Sequence, residues 1–102
     1  MSELIPLLPL TALMDGDMTA CRVGGEEVLV ASVYGQCYAV ANRCPHAGEA
    51  LSRGTLDGFQ LRCPRHGATF DIRTGVASSG GGLPDLKRYD LALEGGRINL
   101  IR

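Results

Sequence analysis

The chain has 102 residues, of which 45% are apolar and 21% charged, a balance that fits a folded domain and excludes a disordered one. That length holds one domain, residues 1–102, with one modest core and no separate catalytic unit. Ten Lys/Arg against eleven Asp/Glu leave a net charge of −1, no general footprint for nucleic acid or an anionic membrane surface, and with two Phe, three Tyr and no Trp a base-stacking platform is excluded too.

The longest apolar stretch, Leu4 to Leu10, is too short to span a bilayer and is broken by Pro6 and Pro9. Met1-Ser2-Glu3 shows no basic leader, so the protein is expected in the cytoplasm. A single helical turn is predicted around Pro9 to Met14, before Asp15-Gly16. Met18 to Val23 and Glu26 to Val33, separated by Gly24-Gly25, read as a hairpin. Tyr34-Gly35 then turns the chain into a third strand, Cys37 to Ala41. Further hairpins are signalled by Leu56 to Phe59, Ile72 to Gly75 and Leu93 to Arg97, and Ser78 to Pro84 reads as a loop. The predicted class is all-β, either small packed sheets or a partly open barrel.

Charge is uneven along this pattern. Residues 1–40 carry five acids and one base, whereas residues 41–73 carry five bases and three acids. The basic middle also holds both histidines of the chain, each just after a cysteine: Arg43-Cys44-Pro45-His46-Ala47-Gly48 and Arg62-Cys63-Pro64-Arg65-His66-Gly67. This internal echo suggests two similar loops facing a common object. The Leu56–Phe59 turn would fold residues 51–63 into a hairpin and bring both loops to one end of the sheet.

Cys44 and Cys63 offer soft thiolates, and His46 and His66 offer imidazole nitrogens. Pro45 and Pro64 stiffen the loops, and Gly48 and Gly67 allow close backbone approach. A lone Cys or His is ordinarily packing, but two pairs at ligand spacing that use every His point to a metal centre. Zinc sites usually pair Cys with Cys and His with His along the chain. Here each loop supplies one of each; a two-iron cluster takes both thiolates on one iron and both imidazoles on the other.

Cys-x-His, sixteen residues, then Cys-x-x-His resembles the Rieske iron–sulfur signature. The resemblance runs over nearly the whole length and implies one [2Fe–2S] cluster per chain, with Cys44 and Cys63 on the inner iron and His46 and His66 on the outer. It implies the Rieske fold: an antiparallel β base with a small cluster-binding subdomain of two loops, at about residues 42–76. High-potential Rieske proteins resemble one another in a disulfide that joins the two loops; the matching positions here are Glu49 and Arg65. Their Ser and Tyr donors to sulfur are matched by Ala68 and Phe70, which donate nothing and so imply a low potential. Formally the oxidised core is neutral with two thiolates and two imidazoles, which places Rieske potentials at roughly −150 to +300 mV, and this chain at the low end.

The chain thus looks like the ferredoxins of bacterial aromatic-ring-hydroxylating dioxygenase systems, electron carriers in aromatic hydrocarbon catabolism and not themselves enzymes. The implied partners are an NAD(P)H-dependent flavoprotein reductase and a terminal oxygenase, met in transient complexes by a monomer, with no membrane and no nucleic acid. A terminal oxygenase fails on inventory, since both histidines are used. A Rieske-like small subunit of a reductase such as nitrite reductase, or a zinc-binding interaction module, are the alternatives. Cys21 and Cys37 read as buried hydrophobes, a disulfide between them being disfavoured in the cytoplasm. Arg43, Arg62 and Arg65 either steer an acidic partner or are ordinary solvated charges. The Gly80–Pro84 stretch is either a third loop over the cluster or a plain connection, and Asp71 is expected to cap a turn or pair with a nearby Arg.

Overall fold

The computed structural model describes residues 3–45, 48–65, 67–78 and 84–102. Strands β1 (Leu4–Pro9), β2 (Met18–Val23), β3 (Glu26–Val33), β4 (Gln36–Ala41), β8 (Arg88–Glu94) and β9 (Arg97–Ile101) form a six-stranded antiparallel sheet in the order β1-β9-β8-β4-β3-β2. Strands β5 (Thr55–Asp57), β6 (Gln60–Arg62) and β7 (Thr69–Asp71) form a second, smaller antiparallel sheet. Among the described residues no helix is long and apolar enough to cross a membrane.

The predicted meander is present, its third strand starting one residue earlier than expected, at Gln36. Its tight turn places Tyr34 at φ +51° and Gly35 at φ +80°, the paired positive angles that a two-residue hairpin loop requires. The predicted helical turn shrinks to a single 3-10 turn at Leu10–Ala12. The stretch before it, which sequence patterning left without a strand, is β1. Its prolines are tolerated because β1 is an edge strand paired only with β9, and its register slips between Pro6 and Leu8. Strand β8 pairs with β4 at Arg88 and Tyr89 and with β9 from Asp90 onward. The sheet therefore bends on itself and brings β1 close to β2, as in a partly open barrel.

Strand β3 is the keel of the molecule. Val28 and Val30 face an interior shared with Ala39, Ile98 and Leu100. Leu29, Ala31 and Val33 face the opposite way and pack, with Val40, against Leu61, Phe70 and Ile72 of the small sheet and its following turn. Burial on both faces explains the nearly unbroken apolar run from Val28 to Val33. Each fully buried Val, Leu, Ile or Phe among them contributes about 1.5–3 kcal/mol relative to exposure. Cys44 and Cys63 belong to the second of these cores, at its far edge.

The opposite edge of the small sheet is fastened by Phe59, in the β5–β6 turn. Its ring meets Tyr34 edge-on at 5.2 Å and Tyr38 at 6.2 Å, and the Arg73 guanidinium lies 3.9 Å over it. Arg73 is held in turn by Asp71, whose carboxylate accepts from the Arg73 backbone N–H at 2.9 Å, from Nε at 3.0 Å and from Nη2 at 2.8 Å. Asp71 thus caps a turn and pairs with an Arg at once.

These bonds hold the Asp71 carboxyl below the usual aspartate range, the Arg73 side chain being the main cause and burial opposing it. A lowered folded pKa stabilises the fold above the unfolded value of about 3.9, and that stability is lost as pH falls through the folded value. Asp71→Asn should therefore lower the melting temperature at neutral pH, and the gap to the parent protein should close on acidification. A gap independent of pH would show that the charge of Asp71 contributes nothing.

Candidate metal centre

Both cysteine-bearing loops leave the sheets at the same end. Strand β4 runs into Asn42, whose backbone N–H donates to the Glu27 carbonyl at 3.0 Å. Its buried side chain accepts the Ser52 N–H at 2.8 Å and donates to the Ser52 hydroxyl at 3.1 Å. Asn42 thereby closes the base of the first loop, residues 43–49, before it starts. The second loop, residues 63–68, joins β6 to β7.

The echo in the sequence is an echo in the backbone. The Cys44 N–H donates to the Glu49 carbonyl at 2.8 Å, and the Cys63 N–H donates to the Ala68 carbonyl at 2.7 Å, a closure over five residues in each case. Gly48 and Gly67, four residues after their cysteines, both take φ +68°, a left-handed conformation that a side chain would strain. Over each glycine lies the arginine that precedes the cysteine. An added Cβ would come 3.5 Å from Arg43 Nη2 on Gly48 and 3.2 Å from Arg62 Nη1 on Gly67. Arg62 Nη1 also donates to the Gly67 carbonyl at 3.4 Å.

The two loops bring their sulfurs together. Cys44 and Cys63 are fully buried free thiols in one core cluster, near enough that each lies in the other's field. Burial pushes the Cys63 thiol up, and Cys44 and the Glu49 carboxylate push the same way, against the backbone N–H of Arg65, which donates to the sulfur. Two thiolates are costly in such a place unless a cation shares them, and a soft metal centre does so. The donor set therefore fits an iron–sulfur group. His46, His66, Ala47 and residues 79–83 lie outside the described residues, and with them the imidazoles and the core of the expected third loop; Pro84 beyond it is exposed.

Residues 3–90 match the family described as the Rieske [2Fe-2S] domain. The chain belongs to the Rieske family. This Rieske chain is 35% identical over 86 residues to the ferredoxin component of the naphthalene 1,2-dioxygenase/salicylate 5-hydroxylase systems of Ralstonia sp, a match covering 84% of this chain and 83% of that one. Its fold superimposes on the ferredoxin of Sphingomonas yanoikuyae B1 with a TM-score of 0.91 and 28% identity, covering 98% and 99% of the two chains. A chain in the complex of reduced oxygenase and oxidized ferredoxin in carbazole 1,9a-dioxygenase gives a TM-score of 0.88 at 28% identity, covering 95% of this chain and 91% of that one.

Within this Rieske domain an ion pair joins the loops at the two positions that the resemblance matched to a disulfide. Arg65 Nε lies 3.3 Å from Glu49 Oε2, and Arg53 Nη1 lies 3.9 Å from Glu49 Oε1. Glu49 also receives the Cys44 N–H on its carbonyl, and Arg65 donates its own N–H to the Cys63 sulfur. The ion pair thus links the two residues whose backbones hold the two cysteines. Sequence reasoning placed Glu49 and Arg65 side by side by resemblance and did not read their opposite charges as a bond. The Asn42–Ser52 bracket left no motif to find.

Cys21 and Cys37 are half-buried, and burial raises both thiols. Cys21 faces Val28 and Cys37 faces Ser32 on opposite sides of β3, four residues apart along it, or roughly 13 Å at strand spacing. That separation forbids a disulfide between them.

Glu49→Gln should accelerate cluster loss on heating about two- to fivefold, the range for a partly exposed ion pair of up to about 1 kcal/mol. High salt should bring the parent protein to the rate of the variant, followed by bleaching of the visible absorbance. Equal rates for both proteins at low salt would show that the ion pair does not hold the loops.

Proposed function

We propose that this chain is the electron-carrying ferredoxin of a multicomponent aromatic-ring dioxygenase system in the cytoplasm, taking single electrons from an NAD(P)H-dependent flavoprotein reductase and passing them to a terminal oxygenase. The observation that carries this reading is the pair of buried, neighbouring cysteines on two matched loops at one end of the molecule. Relatives that span the same length as this chain are themselves ferredoxin components. In this reading residues 1–102 are one Rieske domain, with residues 42–76 as its cluster-binding part.

We assign Cys44 and Cys63 as the two thiolate ligands and His46 and His66 as the two imidazole ligands. When bound, the [2Fe–2S] cluster supplies reversible one-electron chemistry. The residues of the chain set how easily that happens. Cys44 and Cys63 sit in the apolar core with Leu51, Leu61 and Phe70 beside them, which excludes water from the sulfur side. The Arg65 N–H is a donor to sulfur. Ala68 and Phe70 are buried and add none, which supports a low potential.

Two outcomes test this reading. Purified protein should be coloured, contain two irons per chain and give, once reduced, the rhombic EPR spectrum of a mixed nitrogen- and sulfur-ligated cluster; Cys63→Ser and His66→Ala should each abolish it. A colourless protein holding zinc would refute the assignment. Phe70→Tyr, which offers one new hydroxyl donor, should raise the potential by about 40 mV, the equivalent of a hydrogen bond of about 1 kcal/mol at 59 mV per tenfold change. Gel filtration separates this carrier from a permanent reductase subunit: the carrier elutes alone and meets its partners transiently.

A further inference from the structure

The end of the molecule that carries the two cysteines is ringed by positive charge. Arg43, Arg53, Arg62 and Arg65 are all exposed there. Glu49, the acid between the two loops, is shared between Arg53 at 3.9 Å and Arg65 at 3.3 Å. Asp15 and Asp57 belong to the opposite end: Asp15 accepts the N–H of Gly35, and Asp57 adjoins the turn whose Phe59 meets Tyr34 edge-on.

Beside the first loop this charge lines a cleft of about 460 Å³, bounded by Arg22, Glu26, Glu27, Asn42, Arg43 and Tyr89. Most of its charges already cancel. Arg22 pairs with Glu27 at 3.5 Å, and Glu26 pairs with Lys87 at 3.3 Å and with Arg102 at 3.5 Å. Arg43 has no hydrogen bond or ion pair to any described residue; its guanidinium only lies over Gly48. The cleft therefore presents one unspent cation, on the residue that directly precedes Cys44, inside a rim that is otherwise neutralised.

We propose that the redox partner docks on this end through an acidic face, and that Arg43 is the anchor that takes a partner aspartate or glutamate in the cleft. A guanidinium fork matches a carboxylate in two parallel hydrogen bonds, and placement in a recess removes part of the competing water. Arg53, Arg62 and Arg65 then act as a steering field around the anchor, which raises encounter rates more than it deepens affinity. The inference rests on the electron-carrier reading and adds to it the chemistry of the surface that the carrier meets.

The test uses the cluster-bearing protein, reduced with dithionite, freed of excess reductant and mixed in stopped flow with one of two small oxidants, each taking one electron per protein. Anionic ferricyanide, becoming ferrocyanide, should react faster at low salt and slow as salt rises; cationic hexaamminecobalt(III) should show the opposite trend. Arg43→Gln should cut the ferricyanide rate about sevenfold at an ionic strength of about 0.01 M, as expected for one charge removed roughly 8 Å from a trianion. Arg97→Gln, the same charge change at the distant start of β9, should leave it unchanged. Poly-L-glutamate, a carboxylate-bearing chain, should compete with ferricyanide on the parent protein and compete several-fold less on Arg43→Gln, whereas poly-L-lysine should not compete at all. Arg62→Gln serves as a second variant should Arg43→Gln fail to hold its cluster. A ferricyanide rate that rises with salt, equal losses in Arg43→Gln and Arg97→Gln, or competition by poly-L-lysine would overturn the proposal. A protein without a cluster would show it in the visible spectrum before any oxidant is added, and would sink the electron-carrier reading instead.

Discussion

Two sulfur atoms placed side by side in an apolar core impose the terms on everything around them. Burial disfavours the Cys63 thiolate, and the neighbouring Cys44 pushes it the same way. Such a pair is a poor way to build a hydrophobic core and a good way to hold a shared cation. The rest of the structure serves that adjacency. The small sheet packs Leu61 and Phe70 against β3, which fixes the loop that carries Cys63 relative to the strand that leads to Cys44. The Asn42–Ser52 bracket and the five-residue closures then set each loop to the same shape.

The loops illustrate how one requirement is met with different materials. A covalent crosslink would hold them whatever the solvent; here Glu49 and Arg65 do so through charge, in a place where solvent ions compete. The same carboxylate raises the neighbouring Cys63 thiol, so the residue that ties the loops also adds negative charge beside the cysteines. Added negative charge and few donors to sulfur act in one direction, toward a centre that gives up its electron readily.

Much of this was legible in the residues. Glycine pairs and alternating apolar runs located the meander because tight turns and half-buried strands leave local marks. The repeated Arg-Cys-Pro with a trailing glycine picked out the two loops whose cysteines share one core, because such spacing is also local. What escaped was contextual. Strand β1 was hidden by Pro6 and Pro9, which disqualify a central strand but not an edge strand, and edge status is a property of the whole sheet. The six-stranded bend at β8 was hidden for the same reason, since one strand changes partners midway with no change in its own pattern. Glu49 and Arg65 lie in different loops, so only the fold shows that they meet.

The central claim is that two buried cysteines from matched loops share one iron while a different ligand set holds the other. Mössbauer spectroscopy on protein loaded with iron-57 reads the environment of each iron separately. The account predicts two unequal quadrupole doublets of equal area in the oxidised protein, one from a sulfur-rich site and one from a nitrogen-bearing site. A single doublet from two equivalent all-sulfur irons, or no iron signal at all, would contradict it.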